Sequence, residues 1–304
     1  MCAGNRKDIE ATGPLPRAEA LSGGGLLVCA AGKINLNLLV GPPREDGYHS
    51  LDSLVAKVTL YDEIELRLRS DGRIGFSCCG ADCGEDEHNL ALRAAKLLAD
   101  GRDVPGADIV LRKRIPPGKG LGGGSSDAAA VLRGLNELWR LGLSKGGLAA
   151  LAAELSSDAP LFLGPPGARM TGRGERIESI TVHPFLAVLW VSDLVCSTTA
   201  VYKTFDHSPA EMGKQLDPKL LAGPPSHWRG LLENQLAPAA EWLYPQLRRV
   251  REEISVAVSK PVCLTGSGSA LFVLCNDLEE ARQVLAASPE RLRRDCIIVA
   301  SNPW

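Results

Sequence analysis

The residues whose types and spacing could do chemistry are densest between Ile115 and Ala130. There Ile-Pro-Pro-Gly-Lys-Gly-Leu-Gly-Gly-Gly-Ser-Ser-Asp-Ala-Ala-Ala places five glycines in sixteen positions. Glycine admits positive φ and presents no Cβ, so such a run lets main-chain N–H groups close on something bulky and anionic. Ser125, Ser126 and Asp127 are capping residues, and Val131, Leu132, Leu135 and Leu138 follow at helical spacing, which predicts a helix over 128–141. Free N–H groups at a helix start, with the positive end of its dipole, favour a phosphate there.

Other glycine-rich loops fit less well. A loop without a ligand has no need of the alternating strand and capped amphipathic helix that flank this one. Gly118, Gly120 and Gly123 satisfy the dinucleotide pattern G-x-G-x-x-G, but Pro116 and Pro117 separate the loop from its strand. The acidic residue that such a fold needs about 20 residues later, at the end of a second strand, is missing, since Asn136 and Glu137 fall inside the helix. A Walker loop is excluded because Lys119 is followed by glycine. What remains is a phosphate loop of another kind.

Four further places carry reactive or recognising side chains. Lys33 lies in Ala-Gly-Lys-Ile-Asn-Leu, with apolar neighbours on both sides, which favours a buried and partnered ammonium over one that points at solvent. Asp158 precedes Ala-Pro, where an aspartate ordinarily caps a helix or forms a turn, yet its surroundings from Ala159 to Leu163 are apolar. Asp46-Gly47-Tyr48-His49 is a turn with an aromatic ring and an imidazole at its exit, and Tyr202 follows the polar run Ser197-Thr198-Thr199. Thr265-Gly266-Ser267-Gly268 joins two apolar runs as a hairpin turn or as part of a ligand site.

Strands expected at 26–40, 51–69, 107–114, 185–191 and 296–300, and helices at 89–100, 147–155, 231–254 and 278–287, position these residues. Strands and helices alternate without repeats, which indicates an architecture of α and β elements. With 304 residues the chain can bury a substantial core, and we expect two units, 26–180 and 181–304, behind a disordered Gly- and Pro-containing leader at 1–25. Residues 207–227 read as a mobile connection. A net charge of −2 with dispersed Lys and Arg gives no basic stripe, so neither nucleic acid nor an anionic membrane is the expected partner. No run approaches the ~18 apolar residues of a membrane span, and the charged N-terminus lacks a signal-peptide core, which points to the cytoplasm. The nine scattered cysteines read mainly as reduced core thiols. Cys78, Cys79, Cys83 and His88 lack the second pair that a zinc site needs.

Pro-x-x-x-Gly-Leu-Gly-x-Gly-Ser-Ser-x-Ala resembles the central motif of the GHMP kinases. Taken with Ala31–Leu36, Asp46–Leu51 and Leu264–Ala270, it is similar in order and spacing to the branch of that superfamily that phosphorylates cytidine diphosphate methylerythritol. The resemblance runs from about residue 26 to the C-terminus. It implies an α+β, two-lobed fold with an N-terminal ribosomal-protein-S5-like lobe, a C-terminal ferredoxin-like lobe and the active site between them. It implies ATP as phosphoryl donor, with magnesium (Mg2+) delivered by the nucleotide and no protein metal ligands, and a small-molecule acceptor. The expected assembly is a monomer or weak homodimer. Asp158 then resembles the catalytic base and Lys33 the cation beside it. Pro116, Pro117, Gly118, Lys119, Gly120, Leu121, Gly122, Gly123, Gly124, Ser125 and Ser126 would form the ATP loop. Tyr48 and Tyr202 would stack on the cytosine and His49 would read its polar edge. Asn35 would hold the methylerythritol side, with Thr198 and Gly266 completing the substrate set. Two other readings compete: a sister kinase for homoserine or mevalonate has no reason to keep Asp-Gly-Tyr-His, and a non-catalytic ATP sensor has none to keep both Lys33 and Asp158. Alanine at position 31, where the family often has proline, and the Cys78–Cys83 segment depart from the pattern.

Overall fold

The computed structural model describes residue 15, residues 17–81 and 86–207, residue 213, residues 215–302 and residue 304. The chain enters a seven-stranded sheet at β1 (Ala18–Ala20), which pairs antiparallel with β2 (Leu26–Pro43). The leader expected through residue 25 is therefore structured from residue 17, and its remainder, apart from Leu15, lies outside the described residues.

β2 and β3 (His49–Leu68) form the long central pair, longer than either apolar run suggested. β4 (Ile74–Gly80) carries Cys78 and Cys79, and the helix α1 (Leu90–Ala99) is capped by the Asn89 side chain. β5 (Ala107–Lys113) pairs with the second half of β3 and leads into the glycine loop. Next come α2 (Gly123–Leu138), α3 (Lys145–Leu155) and the short α4 (Ala159–Leu163). β6 (Gly167–Gly172) pairs with the first half of β3 and, on its other edge, with β7 (Arg176–Ser179). Among the described cysteines, Cys29, Cys196, Cys263, Cys275 and Cys296 are free thiols as expected, whereas Cys78 is disulfide-bonded.

The second sheet is built from β8 (Leu186–Trp190), β9 (Cys263–Leu264), β10 (Leu271–Cys275) and β11 (Cys296–Ala300) in the order β11-β8-β10-β9. Helices α5 (Thr198–Asp206), α6 (Ala237–Leu243) and α7 (Pro245–Val258) lie between β8 and β9. α8 (Leu278–Ala287) and α9 (Glu290–Arg293) lie between β10 and β11. Antiparallel pairing in that order is the ferredoxin-like arrangement.

Strand alternation explains how the two layers join. In β8, Val188 and Trp190 face helices α5–α8, while Ala187 and Leu189 face the first sheet. The latter pack with Phe272, Leu274 and Val299 against Ile34, Leu36, Leu54 and Val58 of β2 and β3. Phe272 is fully buried there, and one such side chain contributes about 1.5–3 kcal/mol. The opposite face of the first sheet buries Val28, Ile64, Leu66, Ile109 and Leu111 under α1–α4. The middle of β2 thus runs between the two units, with Lys33 and Asn35 on it. No helix among the described residues is long and apolar enough to cross a membrane.

Candidate active site

Helix α2 begins at Gly123 rather than at Ala128, so Ser125, Ser126 and Asp127 stand inside its first two turns instead of before it. The helix is started by backbone shape: Gly122 at its N-cap has φ +73° and contributes no side-chain cap. A Cβ there would stand 2.8 Å from Phe162 Cζ and 3.1 Å from Lys33 Cγ, so both conformation and space demand glycine. Gly120 has φ +74°, and a Cβ on it would come within 2.1 Å of the Thr265 carbonyl. The loop thereby keeps its N–H groups open at the start of a sixteen-residue helix, where an anion is stabilised.

The remaining loop residues divide their work. Pro116 and Pro117 offer no N–H and shape the entry. Leu121 is buried, and its carbonyl accepts the Lys33 N–H at 2.9 Å, joining loop to strand. The Lys119 side chain turns onto the Leu194 carbonyl at 2.6 Å, and its own carbonyl accepts the Ala270 N–H. What Lys119 presents to the loop interior is main chain. Ser125 Oγ accepts a hydrogen bond from Ser156 Oγ at 2.8 Å, and Ser126 is buried.

Lys33 and Asp158 come together as expected. Lys33 Nζ donates to Asn35 Oδ1 at 2.6 Å and lies 3.9 Å from Asp158 Oδ2. Burial lowers the Lys33 ammonium from its ordinary value, and the Asp158 charge opposes that shift. Asp158 stands at the N-cap of α4 but makes no capping hydrogen bond; Ser156 Oγ accepts the Ala159 N–H instead. Its carboxylate, about one-third exposed, is left to face Lys33 and the cleft.

Asn35 is a hub for protein partners. It accepts from Lys33, lies 3.2 Å from Thr265 Oγ1 through the same oxygen, and donates to Ser53 Oγ at 2.8 Å. Thr265, also 3.2 Å from the Gly120 carbonyl, ties strand, phosphate loop and glycine turn together. Gly266 lies against Gly120 and the Lys33 ammonium, and Asn234 Nδ2 donates to the carbonyls of Leu264 and Gly266 at 2.8 Å each. Thr198 Oγ1 and Ser267 Oγ are 2.9 Å apart. The turn at 265–268 is therefore a wall of the site and more than a hairpin.

The aromatic group lies along the same cleft. The Tyr202 ring centre is 5.3 Å from that of His49, and burial, helped by the Asp158 charge, pushes the Tyr202 phenol upward. Tyr48 is half exposed, with the Arg173 guanidinium 5.2 Å from its ring centre. His49 differs from expectation: Nδ1 lies 2.8 Å from the Gly41 carbonyl and Nε2 lies 3.0 Å from Asp206 Oδ1, so both ring nitrogens already have partners.

Sequence reasoning passed over one cluster entirely. Lys113 Nζ donates to Asp62 and to Asp127 at 2.6 Å each, all three buried beneath the loop. Asp62 also accepts the main-chain N–H groups of Arg114 and Ile115, fixing the loop entry, while Asp127 fixes its exit. Burial and the Asp62 charge raise the Asp127 carboxyl well above the usual carboxylate range against the pull of Lys113. Local sequence carried little signal for it: Lys113 lies between Arg112 and Arg114, Asp62 is followed by Glu63, and Asp127 follows Ser125 and Ser126. Among the described residues, no group of His, Cys, Asp and Glu is arranged to hold a metal ion.

Comparison with known proteins agrees with this geometry. The family described as GHMP kinases N terminal domain matches residues 89–163, and GHMP kinases C terminal matches residues 224–294. A 4-diphosphocytidyl-2-C-methyl-D-erythritol kinase from Pelotomaculum thermopropionicum is 39% identical over 264 residues, 84% of this chain and 91% of the relative. One from Mycolicibacterium gilvum is 40% identical, covering 83% and 82%. The crystal structure of a 4-(cytidine 5'-diphospho)-2C-methyl-D-erythritol kinase superposes with a TM-score of 0.75 at 36% identity, over 91% of this chain and 99% of that one. L. major mevalonate kinase shares the fold with a TM-score of 0.63 at 15% identity, over 96% of this chain and 98% of that one.

Proposed function

The chain belongs to the 4-diphosphocytidyl-2-C-methyl-D-erythritol kinases of the GHMP superfamily, and from that membership we propose that its cleft moves the terminal phosphoryl group of ATP onto the 2-hydroxyl of that cytidine diphosphate compound. It is an ATP-dependent small-molecule kinase of the non-mevalonate route to isoprenoid precursors. The observation that carries the residue assignments is the Lys33–Asp158 pair, 3.9 Å apart, beside the open N-terminus of α2.

Asp158 takes the proton of the acceptor hydroxyl as the oxygen attacks the γ-phosphorus; the O–P bond forms and ADP leaves with the electrons of the broken bond. Lys33, held by Asn35 and 3.9 Å from the Asp158 carboxylate, offsets the charge that develops on the attacking oxygen. The N–H groups of Gly120 to Ser125 hold the triphosphate, a fit supported by the two loop positions that a Cβ would fill, while the Ser126 N–H donates to the Gly122 carbonyl within the helix. Magnesium suits a site of this kind when carried by phosphate oxygens, since it keeps several waters and needs few protein ligands. It would neutralise charge on the triphosphate as the phosphoryl group is transferred.

Tyr48 and Tyr202 present ring faces to the cytosine, and Arg173 brings a cation to the same rim. Substrate choice is tested by following ADP release with magnesium-ATP and the cytidine diphosphate compound, beside homoserine and mevalonate. The expected result is turnover with the first alone. Equal or faster turnover with either alcohol would reassign the chain within the superfamily.

A further inference from the structure

We propose that Lys57 is a positioning residue for the reaction: by tying the C-terminal end of α4 to β3, it sets where the Asp158 carboxylate at the other end of that helix stands relative to Lys33. The inference rests on the reading above that Asp158 takes the proton of the acceptor hydroxyl.

Lys33 and Lys57 are direct partners in the antiparallel ladder of β2 and β3. Residues so paired stand about 4.5–5.5 Å apart and send their side chains to one face of the sheet. Helix α4, five residues and so about 7.5 Å long, is held over that face at both ends. Lys33 Nζ lies 3.9 Å from Asp158 at its N-cap. Lys57 Nζ donates to the carbonyl of Gly164, the C-cap, at 3.0 Å and lies 3.5 Å from the Phe162 carbonyl. The Lys57 main chain adds a second tie, its N–H donating to the Pro166 carbonyl at 2.9 Å.

Packing alone would place the helix less well. Leu161, Phe162 and Leu163 are buried in the core under α1–α4, but apolar burial is non-directional, whereas a hydrogen bond to a carbonyl fixes both distance and angle. The Asp158 side chain makes no capping bond, so its carboxylate stands where the helix carries it. A lysine is also a poor filler for a purely structural position. Lys57 is 1% exposed and has no carboxylate partner among the described residues. Burial, with the Arg17, Arg133 and Lys145 charges, lowers its ammonium to about 7. Groups held against such a shift cluster where geometry serves function.

The experiment is a double-mutant cycle on the full chain, following ADP release with magnesium-ATP and the cytidine diphosphate compound for wild type, Lys57→Met, Asp158→Asn and the double variant. Thermal melts set the assay temperature below every transition. Lys57→Met keeps the length of the side chain and removes its donors. It should lower kcat by about 10–100-fold while KM for both substrates stays within about threefold, because a small misplacement of a catalytic group costs that much. In the Asp158→Asn background the same change should cost less than about threefold, since no base is left to misplace. Lys57→Gln, which still donates through a tether one bond shorter, enters the same cycle if Lys57→Met does not fold, and should show a loss of kcat that likewise vanishes beside Asp158→Asn. A kcat within about twofold of wild type, a rise in KM alone, or an equal loss in both backgrounds overturns the proposal and makes Lys57 structural. Near-normal kcat in Asp158→Asn itself removes the base assignment, and the proposal with it.

Discussion

Two buried carboxylates share one lysine beneath the phosphate loop, and the proton count there decides what Asp127 contributes. Lys113 faces both carboxylates, and Asp62 accepts two main-chain N–H groups that Asp127 does not share. Asp127 then keeps its proton more tightly in the folded chain than in the unfolded one. A raised carboxyl stabilises the fold fully below its unfolded value of about 3.8, and that contribution is lost as pH rises through the folded value. Asp127→Asn, neutral at every pH, should escape this loss. Its melting temperature should exceed that of wild type at neutral pH by about 2–4 °C, roughly 1 kcal/mol, and the gap should close toward pH 4. Thermal melts across pH check this, and a lower melting temperature throughout would mean that Lys113 needs the Asp127 charge. At this scale Lys33 and Asp158 were legible because charges in apolar runs demand partners. The Asp127 role was not, because serine and aspartate before an alanine run also read as helix capping. His49 misled for a related reason: its partners, Gly41 and Asp206, are respectively a main-chain oxygen and a residue 157 positions away, and neither leaves a local pattern.

Helix α2 and its loop act as one element, since the turn that begins the helix is also the proposed phosphate cradle. Gly122→Val should weaken ATP binding by at least about tenfold, because a β-branched residue at φ +73° is strained by about 1–3 kcal/mol and would press on Phe162 and Lys33. Binding of the cytidine compound should survive. Calorimetric titration of both ligands checks the expectation, and unchanged nucleotide affinity would show that the loop is structural only. Apolar elements were readable from periodicity or from an unbroken apolar run: α1, α8, β5 and β11 lie within a residue or two of their expected bounds. Mixed ones were not. β4, β6 and β7 intersperse glycine and polar residues with few apolar ones, and the pairing of β4 with β5 and of β6 with β3 is decided by partners distant in sequence. The start of α2 moved five residues because glycine, a poor helix former, is tolerated where the backbone must turn and the N–H groups must stay open.

Across the whole molecule, the site exists because two sheets bury one shared layer. Ile34 and Leu36 of β2 enter that layer, while the alternate residues Lys33 and Asn35 point into the cleft between the phosphate loop and the glycine turn. Alternation in a single strand thus couples the core to the chemistry. The two-lobed α+β plan was implied by motif order, but the shared core was not, since nothing in the apolar run of β8 says that its two faces meet different partners. The most direct test of the central claim, that Asp158 beside Lys33 serves as the base, is Asp158→Asn assayed for both nucleotide binding and turnover. ATP affinity and melting temperature should stay near wild type, because Asp158 makes no capping bond, while kcat should fall by at least about a hundredfold. Turnover near that of wild type in a folded, ATP-binding Asp158→Asn protein would contradict the account.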